Sequence, residues 1–241
     1  MNYFFSIIIP VYNSESVIKD CISSITQQKR TNVEILIVDD NSQDASLKIC
    51  KAAANKNRAI KIYNNKKNLG VSITRNKGIK NAKGKYIIFL DSDDQLYKAT
   101  LAKLEKKIVK DNFPEVVVCK FKHKTYPYTN NVLIKNKIYN TKKPLRFIKK
   151  ILLKKFPLDE CWPYVVKKTF LSKNKIKFLN LRVAEDQLYV LNVLCSMQSF
   201  STFQQSFYRH IDKAAGLSDY SDLESAKCCL RVLLTYLALK K

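Results

Sequence analysis

The stretch Tyr86-Ile87-Ile88-Phe89-Leu90 limits what this chain can fold into more than any other. Five apolar residues rich in β-formers make a strand that is apolar on both faces, and such a strand belongs in a sheet covered by helices on each side. It stops at Asp91-Ser92-Asp93-Asp94, three carboxylates in four positions. Ligands of such sheets sit beyond the carboxyl ends of the strands, which puts this cluster at the mouth of a cleft. Crowded carboxylates repel one another, and a cation between them removes the repulsion. A hard divalent ion suits the place, since Mg²⁺ takes one or two carboxylates together with substrate phosphates. Taken alone, the same residues also suit a solvated turn with acidic helix caps.

The rest of the first half repeats the pattern. Residues 4–10 and 33–38 are further apolar strands, the second leading into Asp39-Asp40-Asn41-Ser42. Between them Val17, Ile18, Cys21, Ile22 and Ile25 fall at helical spacing. A helix over 44–56, a short strand over 60–63 and a helix over 72–81, closed by Lys83-Gly84, lead up to the 86–90 strand. This alternation predicts right-handed crossovers and a mostly parallel sheet, an α/β architecture. A helix over 100–110 and a strand over 115–119 continue it. Further on, the pattern predicts a hairpin over 120–139 and a helix over 144–155 with Pro144 in its first turn. A helix over 185–197 that opens on Glu185-Asp186, a strand over 201–209 and a closing amphipathic helix over 219–239 complete the chain. The division expected is a core over 1–120 and a smaller α+β region over 121–241 that completes the same domain.

Charge narrows the partners. The formal net charge is +24, which favours polyanions: nucleic acid, anionic lipid or phosphorylated ligands. Between Glu115 and Asp159 there is no acidic residue but eleven lysines and one arginine, the asymmetry of a basic face. In the 144–155 helix Leu145, Ile148, Ile151 and Leu152 share one side, flanked by Lys149, Lys150, Lys154 and Lys155. That composition fits a helix on an anionic membrane surface, and equally a core-packed helix with snorkelling lysines. Nucleic acid is the weaker fit, because acidic clusters at strand ends repel phosphate and no recognition motif is present.

No apolar run reaches the ~20 residues of a membrane span. The first run lacks the basic flank and small-residue cleavage site of a secretory leader, so the expected location is cytoplasmic, with peripheral contact at the inner membrane face. Seven cysteines, an odd number without a CxxC pair, read as core filler. The sole tryptophan, Trp162, stands beside Pro163 and reads as core, although sugars also stack on such rings.

Five segments now stand in one order: Ile7-Ile8-Ile9-Pro10-Val11-Tyr12-Asn13, Val38-Asp39-Asp40-Asn41-Ser42, Gly70-Val71-Ser72-Ile73-Thr74-Arg75-Asn76-Lys77-Gly78-Ile79, Asp91-Ser92-Asp93-Asp94 and Glu185-Asp186. Together they resemble the family-2 inverting glycosyltransferases of GT-A (Rossmann-like) fold, bacterial surface-glycan type, closely over the first 120 residues and loosely over 179–194. The resemblance implies a nucleotide-sugar donor, most simply a UDP-sugar, and a hydroxyl of a glycan or lipid-linked glycan as acceptor. It places Pro10, Tyr12 and Asp40, with Asp39 beside it, on the nucleotide base. It also implies Arg75 on the diphosphate and Asp91, with Ser92 and Asp93, at the ribose and a divalent metal, Mn²⁺ or Mg²⁺. Asp93 is the implied metal ligand with Asp91 second. Asp186 is the implied base, with Glu185 as its alternate. Where many relatives have Gly after the paired aspartates this chain has Asn41, which tolerates the same left-handed turn. A nucleotide-sugar-binding protein without turnover and a nucleotidyltransferase on a similar sheet are the alternatives.

Overall fold

Strand β1 (Phe5–Val11) is buried almost throughout and lies between β2 (Val33–Asp39) and β4 (Tyr86–Phe89), both parallel to it. Successive β1 side chains face opposite ways, and each face has its own apolar layer. Ile7 and Ile9 join α1 (Ile18–Thr26) through Ile18, Cys21, Ile22 and Ile25. Ile8 lies on the other face with Leu36, Ile87 and Phe89. Two covered faces are why these strands carry continuous apolar runs.

The computed structural model describes residues 3–122, 139–140, 160–181 and 184–211. After β2 come α2 (Ser46–Lys56), β3 (Ile60–Asn64) and α3 (Val71–Asn81); after β4 come β5 (Gln95–Leu96), α4 (Thr100–Lys110), β6 (Val116–Lys122) and β7 (Tyr139–Asn140). The chain continues through β8 (Tyr164–Lys167), α5 (Lys168–Lys173), α6 (Glu185–Ser196) and β9 (Ser199–Arg209). The sheet runs β3-β2-β1-β4-β8-β6-β9-β5, with β7 added on β9.

The first four strands in this order are parallel. Beyond β4 the sheet is mixed: β8 is antiparallel to both β4 and β6, and β9 is parallel to β6. The later residues therefore extend the same sheet. Helix α6 closes one face with Tyr189, Val190, Val193 and Leu194, and α5 adds Phe170 and Leu171.

Chain order reverses beside β1, where β2 and β3 lie to one side and β4 to the other. A crevice opens at such a switch point. The ends of β1, β2 and β4 all reach it.

Among the described residues no helix is long and apolar enough to cross a membrane. Most of the 120–139 hairpin, the basic 144–155 helix and the closing 219–239 helix fall outside the described residues.

Candidate active site

The turn after β2 lies beside the end of β1, where Val11 pairs with Asp39. Asp40 is buried, and its carboxylate accepts three bonds: from Asn65 Nδ2 (2.7 Å) and Leu69 N (2.9 Å) on Oδ1, and from Gly70 N (2.8 Å) on Oδ2. An ionised acceptor matches these donors well. Asp40 thereby fixes the entry to α3, where Gly70 has φ +87°. Asp39 is equally buried but differently engaged. Its Oδ2 accepts from Ser42 N (3.2 Å), whereas its Oδ1 has no hydrogen-bond partner among the described residues. Asn41 takes φ 63°, the left-handed turn its sequence position calls for. Pro10, next to last in β1, is half-buried, and Tyr12 just beyond the strand is 45% exposed.

Helix α3 packs directly on β1. A Cβ on Gly78 would stand 2.4 Å from Ile8 Cγ2, so only glycine permits this approach. Closeness there brings Arg75 under the strand ends. Asn76 holds the next segment, donating from Nδ2 to Phe178 O (2.8 Å) and accepting from Phe178 N on Oδ1 (3.0 Å).

Arg75 is where the two halves of the chain meet. Its Nη2 donates to Asp91 Oδ1 (3.0 Å), and its Nη1 to Asp186 Oδ1 (2.5 Å) and Glu185 Oε1 (3.3 Å). Asp186 Oδ2 also accepts from Cys161 N (3.2 Å). Burial pushes the Asp186 carboxyl above its ordinary range, the Arg75 guanidinium opposes that, and Asp91 adds to it. Glu185 is pushed up to about 7 by burial and by Asp186. Arg75 itself is held firmly protonated: burial opposes its charge, but the surrounding carboxylates, Asp186 foremost, outweigh it.

The turn after β4 is anchored from β9. Asp94 is fully buried and accepts from Tyr208 Oη (2.6 Å) and Ile211 N (2.8 Å), with His210 Nδ1 at 3.1 Å. Ser92 Oγ lies 2.8 Å from Ser14 Oγ, which joins this turn to the end of β1. Asp91 and Asp93 are half-buried, two residues apart at the strand end. Among the described residues no three His, Cys, Asp or Glu side chains are grouped to hold a metal. Two carboxylates nevertheless fit an ion of the Mg²⁺ or Mn²⁺ kind, which completes its shell from phosphate oxygens and water.

The glycosyl transferase family 2 model matches residues 6–168, a span that holds β1 through β8 and every strand-end acid described above. The chain belongs to glycosyl transferase family 2. A cholesterol galactosyltransferase of Borreliella burgdorferi is 28% identical over 251 residues, covering 98% of this chain and 68% of that protein. A poly(ribitol-phosphate) β-glucosyltransferase of Bacillus spizizenii is 30% identical over 227 residues, covering 88% and 32%. Among solved structures, S. aureus TarS 1-349 in complex with UDP-GlcNAc has TM-score 0.81 at 25% identity, covering 96% of this chain and 66% of that one. The mannosyltransferase PcManGT of Pyrobaculum calidifontis, in complex with GDP-Man and Mn²⁺, has TM-score 0.68 at 14% identity, covering 99% and 65%, and shares the fold. This chain thus spans between about a third and two thirds of the length of these proteins.

For this family-2 chain, sequence reasoning missed a group on the later side of the crevice. Trp162 is core, stacked on Tyr208 at 4.1 Å between ring centroids, and its Nε1 donates to Glu160 Oε2 (2.8 Å). Burial, then Asp186 and Asp91, push Glu160 up to about 8. The His210 ring lies parallel to the indole at 6.1 Å. An acid two residues before a buried tryptophan, and a histidine closing a strand, were the only signals, and both are common for other reasons.

Proposed function

We propose that this chain transfers a sugar from a nucleotide-sugar donor, a UDP-sugar, to a hydroxyl of a glycan or lipid-linked glycan, with inversion and with a divalent cation. The observation that carries this reading is the approach of Asp186 to Asp91 through Arg75, which brings an acid from α6 to the acidic turn after β4. Inversion by direct displacement needs a base on the side of the sugar opposite the leaving diphosphate. Asp186 supplies a buried carboxylate whose pKa is raised by that burial, the direction that strengthens a base. Glu185 is its neighbour at the same helix start.

On the donor side, the partnerless Asp39 Oδ1 is the better acceptor for the N3–H of a uracil. A buried acceptor of this kind rewards the right base and is left unpaired by the wrong one. Asp40 is committed to the α3 entry, and its role is to hold that turn. Pro10 and Tyr12 flank the base. Asp93, with Asp91, would hold the cation. A divalent ion there neutralises charge on the departing diphosphate. The neighbour bound to UDP-GlcNAc and the fold relative bound to Mn²⁺ support donor and cation alike. The basic 116–158 segment would keep the protein at an anionic membrane surface, and co-sedimentation with anionic vesicles that is lost in salt would bear this out.

The test is UDP release from a panel of UDP-sugars with Mn²⁺ or Mg²⁺ and glycan acceptors. Asp93→Ala and Asp186→Asn should each lower it by about a hundredfold or more. Wild-type turnover in Asp186→Asn would remove that residue as the base, and failure of the wild type to bind UDP would remove the reading.

A further inference from the structure

We propose that Arg75 is a positioning residue, a rigid yoke between the donor-side Asp91 and the acceptor-side Asp186, and that it does not bind the diphosphate. The inference rests on the reading of Asp186 as the base. Its grounds are geometric.

The Arg75 side chain is 5% exposed, and its Nε is buried without a partner among the described residues. A diphosphate cannot reach the guanidinium unless the carboxylates already on it move away. Three of them share the one guanidinium, Asp186 and Glu185 on Nη1 and Asp91 on Nη2. The fork is fully directed: Nη1 faces α6 and Nη2 faces the turn after β4. The Phe178 ring supports it from another side, with Cζ 5.3 Å from the centroid, and the Asn76 amide fixes Phe178 in turn.

Consequences follow for the base. Asp186 is held at both oxygens, by Arg75 on Oδ1 and Cys161 N on Oδ2, so the direction of its remaining lone pairs is set. Asp91 is held by the same guanidinium, which fixes the spacing between the donor turn and the base. Small errors in such spacing are costly, because proximity contributes only when the reacting atoms are aligned. Lysine cannot substitute, since one ammonium is a point charge without the planar fork.

Titration calorimetry with UDP and MnCl₂ on the wild type, Arg75→Lys and Arg75→Gln separates yoke from ligand. The yoke predicts UDP affinities within about threefold of wild type, with kcat for UDP release down about a hundredfold in both variants and donor KM little changed. A tenfold loss of UDP affinity overturns it, as does Arg75→Lys turning over at the wild-type rate. Because Arg75→Gln strands three acids, one of them buried, it is also placed in Asp186→Asn, which removes one of the charges. There a residue acting through Asp186 should cost the residual rate nothing further, whereas multiplied losses in the double variant overturn the proposal. Failure of the wild type to bind UDP overturns the functional reading and this inference together; wild-type binding and turnover with any of the contrary variant results overturns the inference alone.

Discussion

The hydroxyl of Tyr208 donates to Asp94 Oδ2 across 2.6 Å, joining strand β9 to the acidic turn after β4. The same oxygen accepts from Asp91 N at 3.1 Å. One phenol therefore secures both ends of Asp91-Ser92-Asp93-Asp94, and the Trp162 ring stacked on it keeps it in place. Tyr208→Phe preserves the packing and removes the oxygen. Asp94 would keep two of its three donors, and Asp91 N would lose its acceptor. The expected cost is about 1–3 kcal/mol in urea unfolding. Looser carboxylates should also weaken the Mn²⁺ dependence of UDP binding. Unchanged stability together with unchanged Mn²⁺ dependence would count against this anchoring role.

Asp39 and Asp40 are neighbours of the same chemistry with opposite expected responses. In Asp40→Asn an amide nitrogen must face either Gly70 N–H or the Leu69 and Asn65 donors, so the turn into α3 loses about 1–3 kcal/mol. Asp39→Asn can still accept from Ser42 N with its oxygen, and its new NH₂ takes the place of the partnerless Oδ1. Its stability should hold within about 1 kcal/mol. UDP affinity should nevertheless fall by about tenfold or more, and CDP should gain relative to UDP, because cytosine presents an acceptor at N3. Comparing UDP with CDP by calorimetry in each variant checks the pair. An Asp39→Asn variant with wild-type preference for UDP would return the base-reading role to Asp40.

Gly78 tests how α3 is carried. Alanine is the better helix former by about 1 kcal/mol, yet its methyl would meet Ile8 Cγ2 at 2.4 Å in a layer with no room to shift. Gly78→Ala should therefore destabilise by about 1–3 kcal/mol and lift Arg75 away from the acids it holds. Adding Ile8→Ala makes room and should recover part of the activity even though the core loses contacts. A fully active and stable Gly78→Ala would mean that the helix can ride higher without consequence.

The first half of this architecture was readable because its strands are apolar on both faces and end abruptly in polar motifs, so burial and position were both written locally. Asn41 in the left-handed region followed from the resemblance, which has Gly there, and Trp162 in the core from its place beside Pro163. Strand β8 was not readable. Its run Tyr164-Val165-Val166 is too short to declare a strand, and its place is set by β4 and β6 on either side. The division of labour between Asp39 and Asp40 was equally hidden, since it depends on which carboxylate meets the backbone of Leu69 and Gly70. Arg75 could be seen as a guanidinium near anions, but its partner Asp186 lies 111 residues away and is chosen by packing.

Glu160 gives the crevice a pH dependence whose sign can be worked out. Its carboxyl is raised from 4.5 to about 8 by burial, Asp186 and Asp91. Between those values the folded chain holds a proton that the unfolded chain has released. Stability from this group is thus complete below about 4.5 and is lost as pH rises through about 8, with a slope of at most about 1.4 kcal/mol per pH unit. Glu185, raised to about 7, acts in the same direction over a narrower window. Glu160→Gln keeps an oxygen for Trp162 Nε1 and cannot ionise. Urea unfolding at pH 5.5, 6.5 and 7.5 in the presence of a chelator should show wild-type stability falling with pH and a shallower fall in the variant. Parallel curves would mean that Glu160 is already ionised across this range and that the proton sits elsewhere in the cluster.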